Sequence, residues 1–308
     1  MAEIIAVCIS EKKGMRKKNV GKGILIKNTG LEHDAHAGFA HRQVSLLASE
    51  SIAKMKEQGI EVGPGDFAEN FTTSGINLVS LPLGTRLSAG KEAILKVTQI
   101  GKECHSRCAI FEQAGDCVMP REGIFCEVLR GGSVSTADKL KLLPSYKFGI
   151  ITASDKGAKG EREDESGPAI KNFLLPWGDV TVCDLLPDDF PLLVKALKEM
   201  SDKGVDVIFT TGGTGLAPRD VTPEATLAVC DRLVPGIPEA MRNASLSITK
   251  KAMLSRAVAG TYKKTLIINL PGSPKAVLEC LEVIGPVFDH ALETLSGKSE
   301  DCAESTNE

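Results

Sequence analysis

The stretch TTGGTGLAPRDVTPEAT, residues 210–226, sets Gly212, Gly213 and Gly215 among hydroxyl side chains and follows them with Arg219 and Asp220. Glycine-rich backbone leaves its N–H groups exposed, and consecutive exposed N–H groups can cradle an anion. Thr222-Pro223 reads as a helix start, with Thr222 as N-cap and Pro223 as the first helical residue. Such a helix end adds partial positive charge to the same space. A carboxylate beside a phosphate repels it unless a cation lies between them, and Mg²⁺ commonly bridges the two, which makes Asp220 a candidate metal ligand. Two common phosphate motifs do not fit: no lysine follows Gly215 as a Walker loop requires, and Pro218 stands where a dinucleotide fingerprint needs its third glycine. The alternative is a plain turn with Asp220 as its solvated cap.

A second group of reactive types lies in GKECHSRCAIFEQAGDCVMPREGIFCEVL, which holds Cys104, His105, Cys108, Cys117 and Cys126. Structural zinc calls for paired Cys-x₂-Cys, whereas this is Cys-x₃-Cys followed by two single cysteines. Buried free thiols are the competing reading, and Cys126, alternating with Ile124 and Val128, suits it. His33, His36 and His41 share one polar loop without helical spacing, so ligand contact or surface polarity competes there with a metal triad. The six cations from Lys12 to Lys22 have no interleaved aromatics. A solvated loop or a contact with a ligand's phosphate is expected there rather than nucleic-acid binding.

The elements that must position these residues divide near residue 145, where Pro144-Ser145 interrupts one apolar run and FGIITAS begins another. After that seam, FGIITAS (148–154), VTVCDLL (180–186), VDVIFTT (205–211) and TLIINL (265–270) read as strands buried on both faces. Helical patterns separate them, such as Leu193, Ala196, Leu197 and Met200 at i, i+3, i+4, i+7. Strands alternating with helices imply a three-layer α/β/α domain with a mostly parallel sheet, whose ligands bind beyond the carboxyl ends of the strands. The glycine loop follows VDVIFTT directly, so it belongs at that edge. Before the seam, IIAVCI, RLSAG, AILKVTQI, IFCEVL and DKLKLL read as short strands between turns. LLASESIAKMKEQG reads as a helix stopped by Gly59. That first half is β-rich, a closed or folded-over sheet. The fold class is thus α/β, a β-rich barrel-like domain over 1–145 followed by the layered domain over 146–298, with 299–308 an acidic disordered tail.

Composition sets outer limits. At 308 residues, 42% hydrophobic and 25% charged, the chain has the content of two soluble globular domains. The net charge of -3 argues against general nucleic-acid binding. It hides an asymmetry: residues 1–145 carry 19 Lys and Arg against 16 Asp and Glu, and residues 146–308 carry 18 against 24. Nine scattered cysteines, no signal-like start and no run of about 18 apolar residues point to a reducing cytoplasm and no membrane span.

Four motifs of the second half, in order, resemble those of the molybdopterin adenylyltransferases: ITASDKGAKGEREDESGPAI, LLPDD, TTGGTGLAPRDVTPEAT and SRAVAGTYKKTLIINLPGSPKAV. The resemblance covers residues 146–298 and implies Mg²⁺-dependent adenylyl transfer: the terminal phosphate of molybdopterin attacks the α-phosphorus of ATP and pyrophosphate leaves. It places the two functional carboxylates, which are also the metal ligands, on Asp188 and Asp220. The nucleotide-phosphate loop falls on Thr211, Gly212, Gly213, Thr214 and Gly215, with Arg219 behind it. The pterin side falls on Ser154, Asp155, Pro271, Gly272, Ser273 and Lys275. It further implies a homotrimer through this half, with hand-over to a molybdate-inserting protein; no pyridoxal phosphate is expected.

CHSRC, then GIFCEVLRGGSV and DKL, with HDAHAGFAHRQVSLL upstream, resemble the MOSC domain over roughly residues 1–143. In that family a cysteine near such a basic motif is thought to carry sulfur or to ligate the metal of a molybdenum or tungsten cofactor. Cys108, beside Arg107, is the first candidate because a cation lowers a thiol's pKa, and Cys104 is the second. The resemblances together imply a protein of molybdenum cofactor biosynthesis. Two other classes stay open: a non-catalytic carrier of the pterin, and a nucleotide pyrophosphatase in which water replaces the pterin phosphate.

Overall fold

IIAVCI buries Ile4 and then Ala6, Val7 and Cys8 in a row, and becomes the first strand of a sheet that runs through the first half. The computed structural model describes residues 2–103 and 117–297, in two units, Met1–Leu143 and Pro144–Glu308. The first unit contains β1 (Glu3–Ile9), β2 (Lys18–Asn19), β3 (Lys22–Ile26), β4 (Gly30–Leu31), β5 (Val44–Ala48), α1 (Ser49–Glu57), β6 (Phe71–Ser74), β7 (Arg86–Ala89) and β8 (Ala93–Ile100). After these come α2 (Met119–Glu122), β9 (Ile124–Arg130), β10 (Gly132–Ser135) and β11 (Leu140–Leu143). Eight strands form one sheet in the order β11-β7-β8-β9-β5-β6-β1-β2, and β10-β3-β4 form a second.

The long sheet curls until its ends meet. An isolated antiparallel bridge joins Glu3 to Lys139, flanked by Ile4 N–H to Asp138 C=O at 2.9 Å and Leu140 N–H to Ala2 C=O at 3.0 Å. Ile4, Leu46, Phe71, Leu87, Leu95, Ile124, Cys126 and Val128, among others, fill the space enclosed. LLA (46–48), read from sequence as the opening of the helix, instead ends strand β5, which pairs parallel to β6 and antiparallel to β9. The helix starts only at Ser49, buries Ile52 and Met55, and meets Gly59 in the left-handed conformation (φ 83°), where a Cβ is unfavourable.

The second unit contains β12 (Tyr146–Ala153), α3 (Asp155–Ala158), α4 (Ser166–Phe173), β13 (Gly178–Leu186), α5 (Phe190–Asp202), β14 (Val207–Thr211), α6 (Thr222–Leu227), β15 (Arg232–Leu233) and α7 (Gly236–Leu246). It continues with β16 (Ala259–Tyr262), β17 (Thr265–Leu270), α8 (Pro274–Ile284) and α9 (Phe288–Ser296). The sheet order is β13-β12-β14-β17-β16-β15. The first four strands are parallel, and β16 and β15 add an antiparallel edge. Helices cover both faces. Ile170, Val277, Leu281 and Phe288 pack on one side with Phe148 and Phe209, while Leu193, Leu197, Met200 and Ala225 pack on the other with Ile151 and Ile208. The chain leaves β12 toward β13 and then returns past it to β14. A crevice therefore opens between the carboxyl ends of β12 and β14, the usual ligand position in such sheets. No helix among the described residues is long and apolar enough to cross a membrane.

Candidate active site

Strand β12 ends at Ala153, and the next residues are Ser154 and Asp155. Ser154 caps α3, its Oγ accepting the Gly157 N–H at 3.1 Å. On the other side of β12, its neighbour β13 ends in Leu186, and the two aspartates that follow divide their work. Asp189 caps α5 by accepting the Leu192 N–H at 3.0 Å, which leaves Asp188 free to face β12. Asp155 N–H donates to Asp188 Oδ2 and Asp188 N–H to Asp155 Oδ1, each at 3.1 Å. Arg219 closes on Asp155 with two bonds, Nε to Oδ2 at 3.0 Å and Nη2 to Oδ1 at 2.8 Å. That guanidinium holds the Asp155 carboxyl below its ordinary range. Asp188 goes the other way: burial, and then the neighbouring Asp155 and Asp220 carboxylates, raise its pKa.

The glycine loop stands against this pair. Gly212 (φ 91°) and Gly213 (φ 62°) both occupy left-handed backbone. A Cβ on Gly212 would strike the Ala153 carbonyl, and one on Gly213 would strike Thr222 Oγ1 and lie 2.7 Å from Asp188 Oδ1. Both oxygens facing Gly213, Asp188 Oδ1 and Thr222 Oγ1, are buried and lack a hydrogen-bond partner. Among the described residues, the N–H groups of Gly213, Thr214 and Gly215 also find no acceptor. The two buried oxygens would be satisfied by a bound ion or water, and the loop N–H groups are open to an acceptor. Asp220 shares the loop: its Oδ2 accepts the Ala217 N–H at 2.9 Å and lies 2.8 Å from where a Gly215 Cβ would be. Part of Asp220 thus serves as the turn's own cap.

The third wall comes from the turn after β17. Thr211 Oγ1 donates to the Pro271 carbonyl at 2.7 Å and Ser166 Oγ to the Gly272 carbonyl at 3.1 Å, so Pro271, Gly272 and Ser273 meet the loop. A cavity of about 330 Å³ joins Ser154, Thr211, Gly212, Gly272 and Ser273 to Arg162, Glu163, Asp164 and Ser166. The last four lie in the first motif quoted from the sequence but are not among the site residues expected from it. Asp164 takes the Thr152 hydroxyl at 2.8 Å and the N–H groups of Ser166 and Gly167 at 3.0 Å, fixing the start of α4. Asn269, likewise outside that expected set, is buried in β17 and donates to Thr210 Oγ1 at 2.9 Å and Thr226 Oγ1 at 2.7 Å, anchoring the loop at both ends. Lys275 stands apart. It is 81% exposed and pairs with Glu279 one helical turn on, 3.8 Å away. Thr222 is not the N-cap expected: it is the first residue of α6, Val221 holds the cap position, and the Thr222 hydroxyl faces Gly213. Among the described residues, no three His, Cys, Asp or Glu side chains gather into a ready-made metal site.

The first unit has its own hollow, about 170 Å³, where Lys13, His36, Arg42, Ser45, Asn70 and Lys102 meet the apolar Phe39, Ala68, Met119 and Phe125. Arg42 lies over the Phe125 ring, 5.5 Å from its centroid, and donates to Gln99 Oε1 at 2.8 Å. Behind the hollow is a fully buried ion pair, Lys17 Nζ to Asp34 Oδ2 at 2.6 Å, with Asp34 also accepting from the N–H groups of Ser10 and His36. Burial penalises the Asp34 charge, yet His36 and Lys17 overcome that and hold the carboxyl far below its usual range. The three loop histidines do not converge: His33 is 82% exposed, His36 leans on Asp34 and His41 bonds Gln99. Cys126 is wholly buried in β9 and burial pushes its thiol up, while Cys117 is buried beside α2. Cys104 and Cys108 lie outside the described residues, as do the tail residues 299–308.

Comparison with known proteins agrees with this division. The family model described as a probable molybdopterin binding domain matches residues 149–290, and that of the MOSC domain matches residues 33–141. The molybdopterin adenylyltransferase of Helicobacter pylori (strain J99) is 42% identical over 159 residues, covering 50% of this chain and 90% of that protein. That of Haemophilus influenzae is 43% identical over 144 residues, covering 44% and 71%. The molybdopterin biosynthesis enzyme MoaB of Thermus thermophilus aligns in structure with a TM-score of 0.48 at 49% identity, over 51% of this chain and 99% of that one. By its second half this chain belongs to the molybdopterin adenylyltransferase family, and a MOSC domain precedes that half.

Proposed function

We propose that residues 146–298 transfer an adenylyl group from ATP to molybdopterin as a step of molybdenum cofactor biosynthesis. The observation that carries this reading is the cluster of unpartnered groups at one crevice: loop N–H donors from Gly213 to Gly215, and the buried oxygens Asp188 Oδ1 and Thr222 Oγ1. In the reaction, a terminal phosphate oxygen of the pterin forms a bond to the α-phosphorus. The bond from that phosphorus to the bridging oxygen of the β-phosphate breaks, and its electron pair leaves with pyrophosphate. Both reactants are anions, so the chain's task is neutralisation and in-line placement rather than nucleophilic attack.

The loop N–H groups take phosphate oxygens, and the Asp155–Asp188 clasp fixes the carboxylate that faces them. Asp188, Asp220 and the Thr222 hydroxyl form a hard-oxygen set that would hold Mg²⁺, which when bound supplies positive charge to the phosphates. Two carboxylates are enough, because Mg²⁺ commonly completes its shell with substrate phosphates and water. Thr211 to Gly215 and Arg219 serve the nucleotide. Ser154, Asp155 and the turn from Pro271 to Ser273 serve the pterin. Lys275, exposed at the start of α8, would reach substrate only by leaving Glu279.

For the first unit we propose a binding site for a molybdenum or tungsten cofactor. Lys13, Arg42 and Lys102 would face its phosphate, and Cys108 or Cys104 would supply a soft thiolate for sulfur or metal. The working assembly is a cytoplasmic homotrimer that passes its product to a molybdate-inserting protein. A carrier role for the second half is the competing reading, favoured by one contact: Asp220 is already engaged by Ala217. Mixing the purified chain with Mg-ATP and metal-free molybdopterin separates the two. Adenylylated pterin and pyrophosphate, dependent on Mg²⁺ and pterin, support transfer. Tight pterin binding with ATP untouched supports the carrier, and pyrophosphate release without pterin supports a pyrophosphatase.

A further inference from the structure

Arg256 approaches the glycine loop from behind, out of the SRAVAGTY stretch that precedes β16. Its backbone N–H donates to the Thr214 carbonyl at 3.0 Å. Its Nε donates to the Gly215 carbonyl at 2.6 Å and its Nη2 to the Asp220 carbonyl at 2.6 Å, while Nη1 meets Glu224 in α6. The Gly213 carbonyl is taken by the Thr222 N–H at 3.2 Å. Every carbonyl from Gly213 to Gly215, and that of Asp220, is therefore occupied.

A trans peptide unit points its C=O and N–H in opposite directions. Fixing the carbonyls of Gly213, Thr214 and Gly215 thus aims the N–H groups of Thr214, Gly215 and Leu216 the opposite way. Among the described residues those N–H groups have no acceptor, and neither has Val221 N–H on the far side of the Asp220 carbonyl. The Arg256 guanidinium on the Gly215 and Asp220 carbonyls also polarises those two peptide units, making the Leu216 and Val221 N–H groups stronger donors. We infer that Arg256 is a positioning residue, whose side chain sets the Gly215–Leu216 and Asp220–Val221 peptide units so that their N–H groups hold the oxyanions of a nucleotide's phosphate chain. Arg256 does this through the backbone and touches no reacting atom. The inference rests on the adenylyl-transfer reading for the identity of the anion, but the loop's grip on phosphate can be measured apart from turnover.

The experiment is calorimetric titration of Mg-pyrophosphate into the full-length chain and into Arg256→Met, Arg256→Lys and Glu224→Gln, with thermal melting of each. Arg256→Met should bind about 100-fold more weakly, the scale of losing preorganised donors around an anion. Arg256→Lys, which keeps the charge and loses the fork, should fall between it and wild type. Glu224→Gln should stay near wild type, because the carbonyl contacts survive. In an Arg256→Ala chain, millimolar guanidinium should restore much of the affinity, which a general loss of folding would not allow. Unchanged pyrophosphate affinity in Arg256→Met overturns the inference, as does an equal loss in Arg256→Lys and Glu224→Gln, which would assign the effect to the α6 ion pair. If wild type binds pyrophosphate through Arg256 yet forms no adenylylated pterin, the functional proposal falls and the positioning role stands.

Discussion

Asp155 and Asp188 hold each other by the backbone: each carboxylate accepts the other's N–H, at 3.1 Å in both directions. The ends of β12 and β13 are thereby clasped next to the glycine loop. Arg219 takes the outward side of Asp155 and leaves one Asp188 oxygen, Oδ1, facing Gly213 without a partner.

Breaking the clasp tests its role directly. Asp155→Ala removes the acceptor of the Asp188 N–H and releases Arg219. Adenylyl transfer should fall about 10- to 100-fold, chiefly in kcat, since misplacement near a reacting centre is costly even where binding survives. Steady-state kinetics with varied Mg-ATP reads the split, and an unchanged kcat would remove the clasp from the mechanism.

Asp188 should make the resting protein less stable at neutral pH. Its folded-state pKa lies above the ordinary 3.8 because burial and the facing carboxylates disfavour its charge. A carboxyl raised in this way favours the folded state below pH 3.8, and the contribution is lost as pH rises through the folded value. Asp188→Asn should therefore melt a few degrees higher than wild type at about pH 7.5 without Mg²⁺, and the gap should close as pH falls toward 3.8. The same variant should lose adenylyl transfer. A lower melting temperature than wild type near neutral pH would contradict the raised pKa.

Gly213→Ala places a methyl group against Asp188 Oδ1 and Thr222 Oγ1 in left-handed backbone. Activity should drop about 100-fold or more, because the added carbon fills the space between loop and carboxylate. Circular dichroism should show the fold intact. Gly160→Ala, at a similar φ of 73° but in open space, supplies the control for backbone strain alone.

In the first unit, Lys17→Met leaves Asp34 buried without its ammonium. Removing one partner of a buried pair costs about 3–5 kcal/mol, whereas replacing both is often close to neutral. Urea denaturation should show that loss for Lys17→Met and most of it regained in Lys17→Met/Asp34→Asn. An additive double variant would mean that the pair contributes little.

Three of the four parallel strands, β12, β14 and β17, are legible because strands covered on both faces must be apolar almost throughout. VTVCDLL, expected to be buried on both faces, is instead the edge strand β13, whose residues alternate between exposed and half-buried. The antiparallel edge is not legible. Arg232–Leu233 is too short for a pattern, and AGTY in β16 has only small and polar residues around its single aromatic. β5 merges with α1 in the sequence because VSLLA runs into SESIAKM without a turn residue between them. The glycine loop and Asp220 are legible by type and spacing, whereas Asp188 is reached only through the family resemblance of LLPDD. Arg256 is not legible, since its partners lie between 32 and 42 residues away and only packing makes them neighbours. Lys275 illustrates the converse: the PGSPK motif draws attention to a side chain that solvent and Glu279 already satisfy.

The bridge between Glu3 and Lys139 stitches the head of the first unit to its last strand, with the side chains repeating the contact at 2.8 Å. The two loose ends of that unit are therefore next-door neighbours. A short linker could join them and new termini could be cut at an exposed turn residue such as Leu83, giving a circularly permuted version of residues 1–143 with the same strand pairing. A barrel laced up this way completes its strand pairing by Leu143, and no rung of its ladder is supplied from beyond that residue.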